Sequence, residues 1–168
     1  RRAKYLLFYL SGNISIISHL GMSGSYRVLS STESQDYIPE KHDHVIFEFK
    51  DFKVVYNDPR RFGYIFITDK DPQDHKLIKP LGPEPMSNRF NENTLAEAFY
   101  RKDRPVKNAL LDQSILSGLG NIYVCEALFR SNINPKKKIK QLVYSDGSPK
   151  NSLIILKNKI NEIIKEAI

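Results

Sequence analysis

Apolar and polar residues alternate with a period of two along the first part of the chain. "AKYLLFYL" (residues 3–10) and "NISIISHL" (residues 13–20) flank the turn-forming Ser11-Gly12-Asn13 and predict a hairpin. "DHVIFEFK" (residues 43–50) and "KVVYN" (residues 53–57) alternate on either side of Asp51-Phe52, and "GYIFIT" (residues 63–68) follows. Such alternation, broken by short turns, predicts antiparallel sheet over residues 1–69, as a sandwich or flattened barrel. Residues 70–93 hold Pro72, Pro80, Pro83 and Pro85 and predict a linker. Beyond it the period becomes helical. Thr94 and Glu97 have capping-box spacing. Residues 106–117 and 121–131 predict two helices joined by "SGLGN", with Gly118 suited to a left-handed helix end and Asn121 to the next N-cap. A last helix is expected from near Pro149, with Leu153, Leu156, Ile160, Ile163 and Ile164 as its apolar stripe. The fold class is therefore α+β: a β half, a proline linker and a helical half over residues 94–168.

Composition narrows this picture. With 168 residues, 40% hydrophobic and 27% charged, the chain is expected to be globular and soluble, with one real core or two small ones. No apolar run approaches the roughly 18 residues of a membrane-spanning helix. The start, "RRAKYLLFYLSG", loosely resembles a secretory leader, but its apolar stretch is short and no small-residue cleavage site follows, so a strand is expected. A single cysteine, Cys125, leaves no partner for an internal disulfide and no cysteine-based zinc site, and a cytoplasmic location is the default. Charge is uneven. Residues 1–100 balance 13 basic against 13 acidic residues, whereas residues 101–168 carry 13 against 6, so the whole net charge of +7 lies in the helical half. A basic half suits a polyanionic partner or a solvated cationic face.

Two stretches carry chemistry. "NDPRRFGYI" (residues 57–65) puts Arg60, Arg61 and Phe62 together just after a turn, where neither cation nor aromatic is provided with a core. "SGLGN" offers glycines that admit close backbone approach. It is followed by a helix start whose N–H groups and dipole favour a phosphate, with Lys107 one helix earlier to add charge. An ordinary helix–turn–helix corner has the same glycines. His42 and His44 at i, i+2 share a strand face, but no third metal ligand stands nearby.

Together, "RRAKYLLF", "HLGMSGSYR", "KHDHV", "NDPRRFG", "LGPEP" and "GLGNIYVCEALF", in this order, resemble the middle of bacterial formamidopyrimidine-DNA glycosylase, the enzyme that excises oxidised purines. The resemblance covers nearly the whole chain. It implies an antiparallel β-sandwich, incomplete here, followed by a helix–two-turn–helix DNA-binding domain. The implied function is base excision repair of oxidised purines such as 8-oxoguanine, by a glycosylase with AP-lyase strand cleavage. The partner would be double-stranded DNA containing an oxidised purine or abasic site, bound by a monomer in the bacterial cytoplasm.

Chemistry on a base requires the nucleotide to leave the stack, which opens a hole and orphans its partner. By resemblance, Phe62 is the apolar wedge beside the hole and Arg60 offers its planar donor fork to the orphaned base, favouring cytosine. Met22, in the glycine-flanked "GMSG" turn, fills the vacated position with an adaptable thioether. Arg61 pairs with a phosphate or braces its loop. Lys4 matches the lysine assigned proton donation in β-elimination, and Lys107 a lysine of the lesion pocket. His19, His42, Lys102 and Asn121 match DNA-contacting positions, although "YRKDRPV" around Lys102 is less uniformly basic than the family pattern.

The family's nucleophile resembles an N-terminal proline amine, and its zinc finger carries four cysteines. Neither the "PELPE" start nor the finger is present in this sequence, which begins Arg1-Arg2. The expectation is an internal piece of a glycosylase/lyase that is itself inactive in base excision, with no metal of its own and zinc in the absent finger. A non-catalytic damaged-DNA-binding relative and a generic basic nucleic-acid-binding domain are the rival classes.

Overall fold

The computed structural model describes residues 1–167. The chain is α+β and divides into two compact units, Arg1–His75 and the remainder from Lys76 onward. The division thus falls inside the proline-rich stretch. Ile78 and Phe90, from that stretch, are buried, and Phe90 joins the helical core, so residues 76–93 are packed chain.

The first unit holds six strands: β1 (Tyr5–Tyr9), β2 (Ser15–His19), β3 (Ser25–Ser30), β4 (Asp43–Glu48), β5 (Phe52–Asn57) and β6 (Tyr64–Thr68). They form two antiparallel three-stranded sheets, ordered β1-β2-β6 and β3-β5-β4. The sheets meet through side chains: Tyr26 on β3 donates to Ser18 Oγ on β2 at 2.7 Å, and its ring meets Phe8 of β1 edge-on at 5.6 Å. Ile16, Ile17, Val55 and Tyr56 from the two central strands are buried. Two elements escaped the hydrophobic pattern. Strand β3 reads "SYRVLS", and its alternation is blurred because Val28 is exposed while Arg27, on the opposite face, pairs with Glu40 and Asp43. The short helix α1 (Ser31–Gln35) is nucleated by a reciprocal cap between Ser30 and Glu33.

The second unit holds α2 (Glu92–Phe99), α3 (Val106–Leu111), α4 (Asn121–Arg130) and α5 (Asn151–Glu166). Leu153, Leu156, Ile160 and Ile163 of α5 pack with Val124, Ala127 and Leu128 of α4 in one buried cluster that also takes Phe99 and Leu110. Three local expectations are corrected. The start of α2 lies earlier than Thr94–Glu97: Asn91 is the N-cap, its side chain accepting the Thr94 N–H at 2.9 Å. Helix α3 stops at Leu111, since residues 112–117 turn back, with Leu116 N–H bonded to Asp112 O and buried Ser117 donating to Gly82 O. The N-cap of α4 is Gly120, so Asn121 is the first helical residue.

Candidate nucleic-acid interface

Strand directions gather the candidates of the first unit at one end of its sandwich. In register, the start of β1 (Tyr5), the end of β2 (His19) and the start of β6 (Tyr64) lie side by side. In the other sheet, the start of β3 (Ser25), the end of β5 (Asn57) and the start of β4 (Asp43) do the same. Lys4 precedes β1, and His19 closes β2. Met22 sits in the β2–β3 turn, His42 precedes β4, and Arg60, Arg61 and Phe62 form the β5–β6 loop. All seven therefore belong to one loop cluster.

Met22 is 70% exposed and Phe62 55% exposed, and Arg60 and Arg61 face solvent. The Arg60 guanidinium carbon lies 4.8 Å from the centre of the Phe62 ring, a cation–π stack. The two turns touch closely. Gly21 has φ +63, and a Cβ placed there would stand 2.6 Å from Gly63 N and from the Phe62 carbonyl carbon. Glycine is required at that point because the backbones meet.

Beneath the exposed tips lies Asp58, fully buried. Its carboxylate accepts the Ser23 hydroxyl at 2.6 Å, the Gly63 N–H at 2.8 Å and the Tyr56 hydroxyl at 3.2 Å. Ser23 Oγ also accepts the Arg60 N–H at 3.2 Å. The Asp58 backbone is fixed as well: its N–H donates to His42 O, and its carbonyl receives the Arg61 N–H at 3.2 Å and lies 2.9 Å from His44 Nε2. The Ser23 hydroxyl and then the Gly63 N–H hold the Asp58 carboxyl well below the usual range, at about 2. Its negative charge in turn helps burial push the Tyr56 hydroxyl up to about 12. Asp58, Ser23 and Tyr56 were not singled out from the sequence. The signal available was an Asp before a proline turn, a place where such side chains accept downstream N–H groups. His44, considered with His42 as a ligand pair, braces this loop instead. Among the described residues no group of three or more His, Cys, Asp or Glu side chains could hold a metal ion.

His19 stacks on Tyr64 at 5.3 Å and meets Tyr5 edge-on at 5.2 Å. Its Nδ1 accepts the Gly21 N–H at 3.0 Å, which leaves Nε2 to carry the proton of the neutral ring. Burial, and then the nearby Lys4 charge, lowers the His19 pKa, so the neutral ring is favoured. Burial also lowers Lys4 from the usual lysine value. The side chain is nonetheless exposed, so only part of the ammonium's hydration is lost.

In the second unit the corner between α3 and α4 is built by Gln113. Its amide oxygen accepts the Gly118 N–H at 2.9 Å, and its amide nitrogen donates to Leu119 O at 3.0 Å and Leu111 O at 3.1 Å. Gly118 has φ +91, as its place in the motif predicts. Gly120 leaves the first turn of α4 without a side-chain cap, and Asn121, Ile122 and Tyr123 are exposed there. The Asn121 carboxamide oxygen is 3.8 Å from the Cys125 thiol, and Cys125 lines an open hollow with Lys107 and Phe129. Asn121 and Lys107 are thus both neighbours of Cys125, one through its carboxamide and the other through the shared hollow. Lys102 is exposed in the α2–α3 connection. Part of the basic excess is already paired, with Asp103 taking Lys138 and Lys140, and Arg104 taking Asp112.

An aromatic and two cations held on a rigid loop, together with an uncapped helix start behind a glycine corner, are features of nucleic-acid-binding proteins. Residues 81–168 match the family model of the formamidopyrimidine-DNA glycosylase H2TH domain, and residues 1–65 match that of the formamidopyrimidine-DNA glycosylase N-terminal domain. The chain belongs to the formamidopyrimidine-DNA glycosylase family. Formamidopyrimidine-DNA glycosylase of Allorhizobium ampelinum is 45% identical over 185 residues and that of Bartonella henselae 47% over 181, each alignment covering all of this chain and 61% of the relative. The chain therefore spans about three-fifths of the length of the curated relatives it matches. Among solved structures, the Lactococcus lactis protein in complex with DNA containing an abasic site superposes with a TM-score of 0.85 at 37% identity, covering all of this chain and 59% of that one. A complex of MutM with DNA containing carbocyclic 8-oxo-G gives the same TM-score and identity, covering 60% of that chain.

Proposed function

We propose that this protein serves base excision repair of damaged DNA, and that its residues bind the duplex around an everted nucleotide. Met22 and Phe62, exposed on two turns joined by a hydrogen bond and a close backbone approach, carry this reading. Apolar side chains so presented lose nothing by entering an unstacked step, and they replace the stacking that eversion removes. Arg60, already resting on the Phe62 ring, offers parallel donors to the orphaned base. The N-terminal turn of α4, with Asn121 and the neighbouring Lys107, binds a phosphate through its uncapped N–H groups. His19, His42 and Arg61 of the first unit and Lys102 of the second contact the DNA strands. The lesions are oxidised purines such as 8-oxoguanine, and the reaction is glycosidic cleavage followed by AP-lyase strand cleavage, with Lys4 as the proton donor in β-elimination. Its lowered pKa supports that role. Family membership, the damaged DNA in the solved complexes and the exposed wedge all support the reading.

The test is equilibrium binding of the chain to a duplex containing a tetrahydrofuran abasic analogue opposite cytosine, against intact duplex and single-stranded RNA. The abasic duplex is expected to bind most tightly. Affinity for every duplex should fall steeply with salt, by a log–log slope of about −0.9 per phosphate neutralised. Equal affinity for abasic and intact duplex would remove the void-filling role. Tighter binding to RNA would assign the surface to another class of partner.

A further inference from the structure

We propose that Asp58 and Ser23 form a clasp that makes the Met22 turn and the Arg60–Phe62 loop one rigid wedge, and that this rigidity sets the preference for DNA with a vacated stack position. The inference rests on the void-filling reading above and adds positioning residues to it. Ser23 belongs to the β2–β3 turn and Asp58 to the β5–β6 loop, so the 2.6 Å bond between them joins the two tips. The same hydroxyl takes the Arg60 N–H from the far side, and the second carboxylate oxygen takes the Gly63 N–H. Arg60, Phe62 and Met22 are thus held through backbone and hydroxyl, while their own side chains remain outside.

Two further features fit a positioning role. The Asp58 carboxylate is held by neutral donors, the Ser23 and Tyr56 hydroxyls and the Gly63 N–H. The buried anion is satisfied without drawing Arg60 or Arg61 inward, which leaves both guanidiniums for the nucleic acid. The glycines are placed to admit the clasp. A Cβ at Gly63 would stand 1.8 Å from the Tyr56 hydroxyl oxygen, and one at Gly24 would stand 2.9 Å from it. Loose tips would have to be ordered on binding, and that ordering opposes association. Locked tips carry this cost in folding, so wedge insertion is favoured wherever a hole exists to receive it.

The experiment compares the native chain with Ser23→Ala and Asp58→Asn. One readout is amide hydrogen exchange at residues 20–24 and 60–63. The other is binding to the tetrahydrofuran duplex and to intact duplex. Ser23→Ala removes the bridge but leaves the Gly63 and Tyr56 bonds to Asp58, so it keeps the fold should Asp58→Asn lose it. In Ser23→Ala, exchange is expected to speed up in both tips together by about tenfold, the scale of one lost hydrogen bond. The preference for the abasic duplex should fall by a similar factor, with intact-duplex affinity held within about twofold because phosphate contacts are untouched. Unchanged exchange would overturn the clasp. Faster exchange with the preference intact would overturn its role in recognition. Equal loss of affinity for both duplexes would reduce it to structural support. A native chain that shows no abasic preference would instead overturn the void-filling reading, and the exchange data would still decide whether the clasp exists.

Discussion

More than half of the Phe62 surface meets water, and its ring lies under the Arg60 guanidinium. Met22 is more exposed still. Both positions make sense as side chains whose packing partner comes from outside. Asp58 is the opposite case, invisible at the surface and saturated with hydrogen bonds. Its titration gives a direct prediction. The Asp58 carboxyl is lowered to about 2 from an ordinary 3.8, so its contribution to stability is fully present above the ordinary value and is lost as pH falls toward 2. Asp43 titrates in the same window: burial would raise it, but bonds from Tyr37, Asn57 and the Glu40 N–H, with Arg27 nearby, outweigh this and hold it at about 2. Denaturant midpoints of the native chain should therefore drop between pH 4 and pH 2. Asp58→Asn should start lower at pH 5 and drop less across that interval. An equally steep loss in the variant would mean that Asp58 titrates normally in the fold.

At the scale of elements, the loop cluster depends on backbones that come too close for side chains. Gly63 shows how the constraint is shared. A methyl group there meets the Tyr56 hydroxyl oxygen at 1.8 Å and the His19 carbonyl oxygen at 2.7 Å. Gly63→Ala is expected to destabilise the first unit by about 2 kcal/mol or more, the scale of forced overpacking. Adding Tyr56→Phe removes the first obstacle but leaves the second, so thermal melts should show the double variant recovering only part of the loss. Full recovery would place the whole conflict at the tyrosine. The sequence made five of the six strands legible: β4 and β5 through apolar–polar alternation, β1 and β2 as apolar runs flanking the Ser11-Gly12-Asn13 turn, and β6 as the run that follows the arginine loop. It missed β3, where an ion-paired Arg27 and an exposed Val28 mask the alternation. The helix starts were misplaced for a related reason. Asn91 caps α2 through its side chain and Gly120 precedes α4 with no side-chain cap, whereas Thr94 and Asn121, which carry cap-forming side chains, lie three and one positions further on. The exposed candidates that the strand register gathers at one end of the sandwich could be named from motifs. Asp58, Ser23 and Gln113 could not, because their roles are fixed by partners that only the fold brings near.

Across the whole molecule, the two units differ in how they are held. From Lys76 onward one cluster of buried side chains runs through α2, α3, α4 and α5, from Phe90 and Leu95 to Ile160 and Ile163. The first unit buries far fewer apolar side chains, chiefly Ala3, Ile16, Ile17, Val55 and Tyr56, and exposes Phe8, Tyr9, Ile14, Phe49, Phe52, Phe66 and Ile67. Burial of apolar surface is the main favourable term in folding, so local stability should follow this difference. The unit bearing Met22 and Phe62 depends instead on polar ties: the Asp58 group, the Tyr26–Ser18 bond and the Arg27–Asp43 pair. Hydrogen exchange on the native chain should therefore show amides of α4 and α5 protected at least about tenfold more than those of β1, β4 and β6. Denaturant should release the strands first. Under the acid conditions that protonate Asp58 and Asp43, the gap should widen, because among the described residues the lowered carboxylates from Lys76 onward, Asp103, Asp112, Asp146 and Glu162, are shifted less than those two. If strands and helices instead exchanged at one common rate at every pH, the chain would open as a single cooperative body. The strands of the first unit would then be as stable as the helices that carry the basic charge.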